Sequence, residues 1–294
     1  DDIRYRGGTL TQTFANLRPD TPVKVQVLLS ENYHPEASNP TRRRPLDVTL
    51  EGRKVWDDFD PLEEWGHATP GVLTTWAHVG SDGVLNIAYT ADAGPDYNAI
   101  VNGVIVSDIP GYRAVPVAVT ASAEYSAEFP ATAVVDGSWS ETGTGGVYDF
   151  WLLPSGQTGY LEFDFGVNWN LKFVEIHNTD NETHHDRGTI AYHIDISPDA
   201  SFAISETIAS GTLQTYDEGW TMRPLSTDKL WRYARFYVDD FGGSERLNGG
   251  GLSEIAFYGS VPEPGSIALL ALGSLGLLLC RPRRRKSTCS ARGR

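Results

Sequence analysis

The side chains best suited to chemistry gather in one short stretch, Asn178 to Arg187, which reads NTDNETHHDR. His184, His185, Asp186 and Arg187 are adjacent there. An arginine and a histidine beside an aromatic ring make a reasonable cradle for a sugar, whose hydroxyls take paired hydrogen bonds while its face stacks on the ring. The alternative is a polar surface loop. A metal site at His184-His185-Asp186 is disfavoured, because neighbours in an extended chain point to opposite sides. The aromatic partners are candidates from elsewhere in the chain. Trp65, in the stretch Pro61 to Gly71, and Trp220 are the expected exposed platforms, and Trp56 and Tyr97 are further rings able to stack. Trp76 lies within an alternating run, which favours a core position.

Evidence for catalysis is thin. The chain contains no GxSxG elbow, HExxH, Walker loop or GxGxxG before a helix. A glycosidase pair depends on the separation of two carboxylates in space, so it cannot be claimed from the sequence. Both cysteines, Cys280 and Cys289, lie at or beyond the end of an apolar stretch, which removes disulfide, zinc-finger and thiolate chemistry from the body.

Charge narrows the partners. The chain has 24 basic and 38 acidic residues in 294. Seven of the basic ones lie in Arg281 to Arg294, so the rest carries a net charge near −21. Such a body does not bind nucleic acid by neutralising phosphates. It suits an exported protein, and its carboxylates can hold hard cations such as Ca2+.

The carboxyl end explains the export. Val261 to Lys286 run VPEPGSIALLALGSLGLLLCRPRRRK: a Pro-Glu-Pro turn, an uncharged stretch from Gly265 to Cys280, then arginines. The stretch is near the lower edge of the roughly 17–25 residues that span a bilayer, and Val261 to Gly265 can extend it. A run of this length also suits a buried core helix. However, Arg281, Arg283, Arg284, Arg285 and Lys286 follow it with no acid nearby, and positive flanks stay on the cytoplasmic side. A transmembrane helix is expected here, with everything upstream facing outward. The tail resembles the PEP-CTERM sorting signal, on Pro262, Glu263 and Pro264 followed by the apolar run and basic end. That resemblance implies export, transient anchoring in the inner membrane, cleavage by an exosortase-type enzyme, and release or attachment at the cell surface, often within exopolysaccharide. Export also needs an amino-terminal signal, so a segment before Asp1 is expected to have been removed or left out.

The elements upstream must position the candidate residues, and they read as strands. Alternating runs cover Thr9 to Phe14, Val23 to Leu29, Leu46 to Leu50, Leu73 to His78, Val84 to Tyr89 and Ala99 to Val106, with turns at Arg18-Pro19-Asp20, Glu51-Gly52, Ser81-Asp82-Gly83 and Asn102-Gly103. No stretch keeps a helical period for three turns, and Arg42-Arg43-Arg44 reads as a solvated loop. The segment 1–113 resembles a malectin-like domain, on Leu17-Arg18-Pro19, Glu31, Arg44-Pro45-Leu46-Asp47-Val48, Phe59-Asp60 and Asn98 to Val104. Its amino-terminal strands are absent from the pattern, so no sugar site transfers to it.

After the turn Ile109-Pro110-Gly111-Tyr112, the segment 114–260 carries a second set of signposts. They include Val135-Asp136-Gly137, Trp151-Leu152, Leu161 to Gly166, Val174-Glu175-Ile176, Tyr192 to Ser197, Arg232 to Phe236 and Gly251 to Ile255. In this order they resemble the discoidin domain, or coagulation factor five/eight type C domain, which includes many bacterial carbohydrate-binding modules. The resemblance implies a jelly-roll in which the early Asp-Gly loop meets the late Ser-Glu strand, often around calcium. Asp136, Ser138 and Thr142, with the Ser253 carbonyl and the Glu254 carboxylate, match those positions. The competing reading has Asp136 capping a turn and Glu254 pairing with an arginine. The resemblance also implies a ligand site at loops on one end, where the usual asparagine-arginine pair reads Asn178-Thr179.

The expected protein is all-β: two antiparallel β-sandwich (jelly-roll) domains, 1–113 and 114–260, then the sorting signal at 261–286 with its transmembrane helix and a basic tail at 287–294. Its expected role is non-catalytic carbohydrate binding at the cell surface. The rivals are accessory domains of an enzyme whose catalytic part is missing, and a structural matrix protein.

Overall fold

The computed structural model describes residues 4–32, 44–91, 98–138, 146–182, 184–241 and 249–261. The expected transmembrane helix, Thr142, Tyr97, Arg42, Arg43 and the motif Pro262, Glu263 and Pro264 lie outside the described residues. Among those described, no helix is long and apolar enough to cross a membrane.

The first sandwich holds β1 (Arg4–Gly7), β2 (Thr9–Phe14), β3 (Pro22–Leu29), β4 (Leu46–Leu50), β5 (Arg53–Phe59), β6 (Gly71–His78), β7 (Leu85–Ala91), β8 (Asn98–Val101) and β9 (Gly103–Asp108). One sheet has the order β2-β7-β4-β5 and faces β6-β3-β9, while β1 pairs with β8. Alternation explains the layers. Val23, Val25 and Val27 of β3 meet Leu46 and Val48 of β4 and Ile87 of β7 in one core, all within 1 % of full burial. The run expected from Ala99 to Val106 is two strands. Asn102 breaks it by turning its side chain to the Ser30 N–H at 2.7 Å. The stretch after Asp60 contains a one-turn helix, α1 (Pro61–Trp65), set by Pro61 in its first turn and by the Asp60 carboxylate, which accepts from the Leu62 N–H at 2.9 Å.

The second sandwich holds β10 (Tyr112–Ala114), β11 (Ala118–Ala121), β12 (Trp151–Leu152), β13 (Gly159–His177), β14 (Thr189–Ser197), β15 (Glu206–Thr212), β16 (Trp220–Pro224), β17 (Trp231–Phe241), β18 (Gly251–Leu252) and β19 (Glu254–Ser260). Its organiser is β13, nineteen residues long and shared by both layers. The first half pairs with β11 and β17, the second with β16 and β19, and the register shifts between Asp164 and Trp169. Gly166 turns that corner at φ 74°, a left-handed conformation that favours glycine. The Asp164 carboxylate accepts from its N–H at 2.7 Å. Phe163 and Val174 from the two halves of β13, with Ile194 of β14, Phe236 of β17 and Phe257 of β19, fill the core between the layers.

The two sandwiches are joined at the turn before Tyr112. Gly111 lies so close to the Gly259 backbone that an added Cβ would meet the Gly259 carbonyl oxygen at 2.0 Å. On one face of the second sandwich, Phe173, Ala256 and Tyr258 pack with Ile109 and with Trp76 of β6. This cover buries β19 on both faces from Glu254 to Gly259.

Candidate functional site

β6 buries Leu73 and Ala77, so period-two geometry turns Trp76 and His78 outward, toward the second sandwich. On β13 the same alternation sends Val174 and Ile176 into the core and Phe173, Glu175 and His177 to the outer face. Trp220 of β16 stands opposite His177. Trp76, His78, His177 and Trp220 meet in a cleft of about 740 Å3 between the sandwiches. The His78 ring stacks on the Trp220 indole with centroids 5.5 Å apart and planes 8° apart. The His177 ring meets Tyr216 edge-on at 5.0 Å and Trp220 at 5.2 Å. Arg53 of β5 closes the margin. Its Nη1 donates to the Glu218 carbonyl at 2.7 Å and to the Trp220 carbonyl and Gln214 Oε1, each at 3.2 Å.

The two histidines sit in opposite electrostatic settings. Burial disfavours charge on His78, but the Glu175 carboxylate 3.0 Å from its Nδ1 outweighs that cost and raises its pKa above the usual histidine value. His177, buried and near the Arg53 guanidinium, is pushed down to about 4. Glu175 is fully buried and also accepts from the Tyr258 hydroxyl at 2.6 Å. The cleft therefore has aromatic walls and a polar margin of Glu51, Arg53 and Lys54, with the buried Glu175 behind His78. Such a surface takes a ligand with apolar faces and many hydroxyls.

Of the ring positions singled out in the sequence, Trp220 is in this cleft and Trp65 is elsewhere. Trp65 leans on Phe59 at 5.1 Å and covers Gly71 so closely that a Cβ there would meet the indole at 2.2 Å. It packs on the core of the first sandwich. Trp76, expected in a core, instead faces Phe173 across the domain boundary at 6.0 Å.

In the loop Asn178 to Arg187, the Asn178 amide is committed to the backbone. It donates to the Thr189 and Gln214 carbonyls at 2.9 and 3.1 Å and accepts from the N–H groups of Thr179 and Thr189. Arg187 is buried, donates to the Leu153 carbonyl and Ser155 Oγ, each at 3.3 Å, and lies 4.9 Å over the Tyr125 ring. His184 and His185 are exposed, and His185 Nδ1 is 2.5 Å from Asp180.

The early loop and late strand do meet. Gly137 N–H donates to Glu254 Oε2 at 3.4 Å, Arg113 Nη2 reaches Oε1 at 2.6 Å, and Asp136 Oδ1 accepts from the Ser138 N–H at 2.7 Å. The turn cap and the arginine pair of the competing reading are thus both present. Burial pushes the Glu254 carboxyl up to about 8 against the pull of Arg113, with Asp136 adding to the rise. Burial raises Asp136 as well, and Asp149 adds to it. Ser253 is buried, and its Oγ has no hydrogen-bond partner. Oxygen donors crowded in this way suit a hard cation in kind, although Arg113 already meets part of the charge.

The residues that the sequence did not single out are Arg53, His78, His177 and Tyr216. A signal for His78 was available, since it stands two residues from Trp76 on a strand whose intervening residue is apolar.

The PEP-CTERM protein-sorting motif matches residues 260–285, which marks the chain for export with a C-terminal signal. No curated protein sequence matches the chain. Among solved structures it is similar to chitosan-binding module 1 of a chitosanase/glucanase from Paenibacillus sp. IK-5, at TM-score 0.39 and 20 % identity, covering 50 % of this chain and 99 % of that one. It is similar also to the CBM32 of AlyQ in complex with 4,5-unsaturated mannuronic acid, at TM-score 0.39 and 22 % identity, covering 51 % and 99 %. A third is the lectin domain of lectinolysin complexed with Lewis B antigen, at TM-score 0.39 and 14 % identity, covering 52 % and 100 %.

Proposed function

We propose that this is an exported, surface-sorted protein that binds carbohydrate without catalysis and holds it in the cleft between its two sandwiches. The observation that carries this reading is the meeting of Trp76 and His78 from one sandwich with Tyr216 and Trp220 from the other, around a space of about 740 Å3. That size lies within the roughly 300–1,000 Å3 of small-ligand sites. Ring faces supply apolar contact for pyranose C–H groups, and the Arg53 and Lys54 side chains at the margin supply donors. The order of signposts through 114–260, which resembles discoidin-type carbohydrate-binding modules, supports the same reading, with a malectin-like first sandwich beside it. On this reading the exported product is sorted to the cell envelope or to exopolysaccharide, a destination that the sorting motif at 260–285 supports. There the apolar stretch Gly265 to Cys280 anchors it in the inner membrane until an exosortase-type enzyme cuts near Pro262, Glu263 and Pro264.

Ca2+ is proposed as a structural ion, held by Asp136, Ser138 and Thr142 with the Ser253 carbonyl and the Glu254 carboxylate. Its part is to neutralise the acid pair and staple the early loop to the last strand, away from any chemistry. Chelation is then expected to lower the melting temperature, and added calcium to restore it. An unchanged melting curve removes the ion from the account.

The glycan reading is tested by affinity electrophoresis of the full chain through gels containing a panel of bacterial and plant polysaccharides. Trp220→Ala is expected to abolish retardation on the gel that slows the native protein, with the circular dichroism spectrum unchanged. Equal retardation of both proteins defeats the assignment.

A further inference from the structure

β19 ends at Ser260 opposite Asn170, just past the corner of β13, so the chain leaves the second sandwich beside that corner at Val261. The same end carries an exposed apolar group. Val117 is 70 %, Val167 55 % and Leu230 42 % exposed, beside Val261 at 43 %. They belong to one surface. Val117 lies against the corner glycine, where a Cβ on Gly166 would meet it at 3.1 Å. Trp169 and Trp231 face each other across the strand pair, next to Val167 and Leu230; both are half-buried and pack against the edge of the sandwich core. The start of β13 differs in kind. It begins from Ser155, Gly156, Gln157 and Thr158, all exposed and none apolar in side chain.

Single exposed valines need no explanation, but several at one end around a tryptophan pair do. What covers them follows from the chain that leaves there. Three residues, Pro262 to Pro264, separate Val261 from Gly265, and the four chain steps reach at most about 14 Å. Once Gly265 to Cys280 enters the hydrocarbon, the exit end of the sandwich is held against the lipid. Aromatic rings favour this boundary, and apolar side chains enter it by about 5–10 Å.

We infer that the corner end of the second sandwich is a lipid-contact surface, on which Val117, Val167 and Leu230 rest in the bilayer interface while the sorting tail is in place. The inference rests on reading Gly265 to Cys280 as the membrane segment. It also orients the glycan cleft. Trp220 stands opposite His177, seven residues along β13 from Asn170, so this wall of the cleft is carried about 23 Å from the membrane end. The binding site is thereby held clear of the headgroups and open to polymer.

The test uses the full chain with Cys280→Ser and Cys289→Ser, carrying Val167→Cys, Leu230→Cys or Gln157→Cys labelled with an environment-sensitive fluorophore. Each is mixed with vesicles of phosphatidylethanolamine and phosphatidylglycerol. Flotation is scored first, then emission wavelength and quenching by brominated lipid. The expected result is flotation of all three, with a blue shift and quenching at 167 and 230 and neither at 157. Flotation with all three labels alike overturns the lipid surface and leaves the anchor standing. Failure to float overturns both. A shift at 167 and 230 that needs no vesicles and grows with protein concentration assigns the patch to a second copy of the chain, and overturns the lipid surface as well.

Discussion

His78 and His177 stand on either side of Trp220, and their titrations act on stability with opposite signs. The pKa of His177 falls from 6.5 in the unfolded chain to about 4 in the fold. The unfolded state therefore takes up the proton first as pH falls, and stability present above 6.5 is lost between 6.5 and about 4. The full effect is on the order of 3 kcal/mol. For His78 the folded pKa is raised, so its contribution is complete below the unfolded value and fades as pH rises through the folded one. Urea denaturation across pH 4 to 8 is expected to give a shallower acid slope for His177→Gln than for the native chain. His78→Gln is expected to remove the loss seen as pH rises past the unfolded value of 6.5. Parallel curves for native and variant proteins contradict these assignments. Trp65 carries a related lesson at this scale. An aromatic in an apparent loop was a fair platform on sequence grounds, but the Asp60 cap and Pro61 wind that stretch into a helical turn that lays the indole over Gly71.

At the scale of elements, β13 organises the second sandwich, and its corner is held by one acid. Asp164 caps the Gly166 N–H and takes both arms of Arg232 at 2.6 and 2.7 Å, which lowers its pKa below the usual carboxylate range. Removing it frees a turn and strands a cation, so Asp164→Ala is expected to cost about 1–3 kcal/mol in urea denaturation. A loss well below this range assigns the corner to Gly166 alone. Much of the strand layout was legible, because Val23 to Leu29 and Leu46 to Leu50 alternate cleanly between core and surface. β19 was less so. Its alternation is hidden because Glu254, Ala256 and Tyr258, which would face water in an isolated sandwich, are covered by the first sandwich and by the loop at Asp136. Period-two patterns report one buried face, and contact between domains writes no period of its own.

At the scale of the whole molecule, the sandwiches are joined by more than a linker. The buried Glu175 takes hydrogen bonds from His78 in one and Tyr258 in the other, Arg53 reaches across to the backbone at Glu218 and Trp220, and Arg18 donates to the Gly111 carbonyl at 3.0 Å. The cleft was illegible in the sequence for this reason. Trp76 and Trp220 are 144 residues apart, and only the docking of two separate folds brings them together. In the proposed function, glycan binding is thus a property of the pair. The direct measurement is hydrogen exchange of the full chain with and without the oligosaccharide that releases it from the retarding gel. The expected result is slower exchange in β6 and β16 together, with the loop at 178–187 unchanged. Protection confined to that loop, or to one sandwich alone, contradicts a site shared between the two.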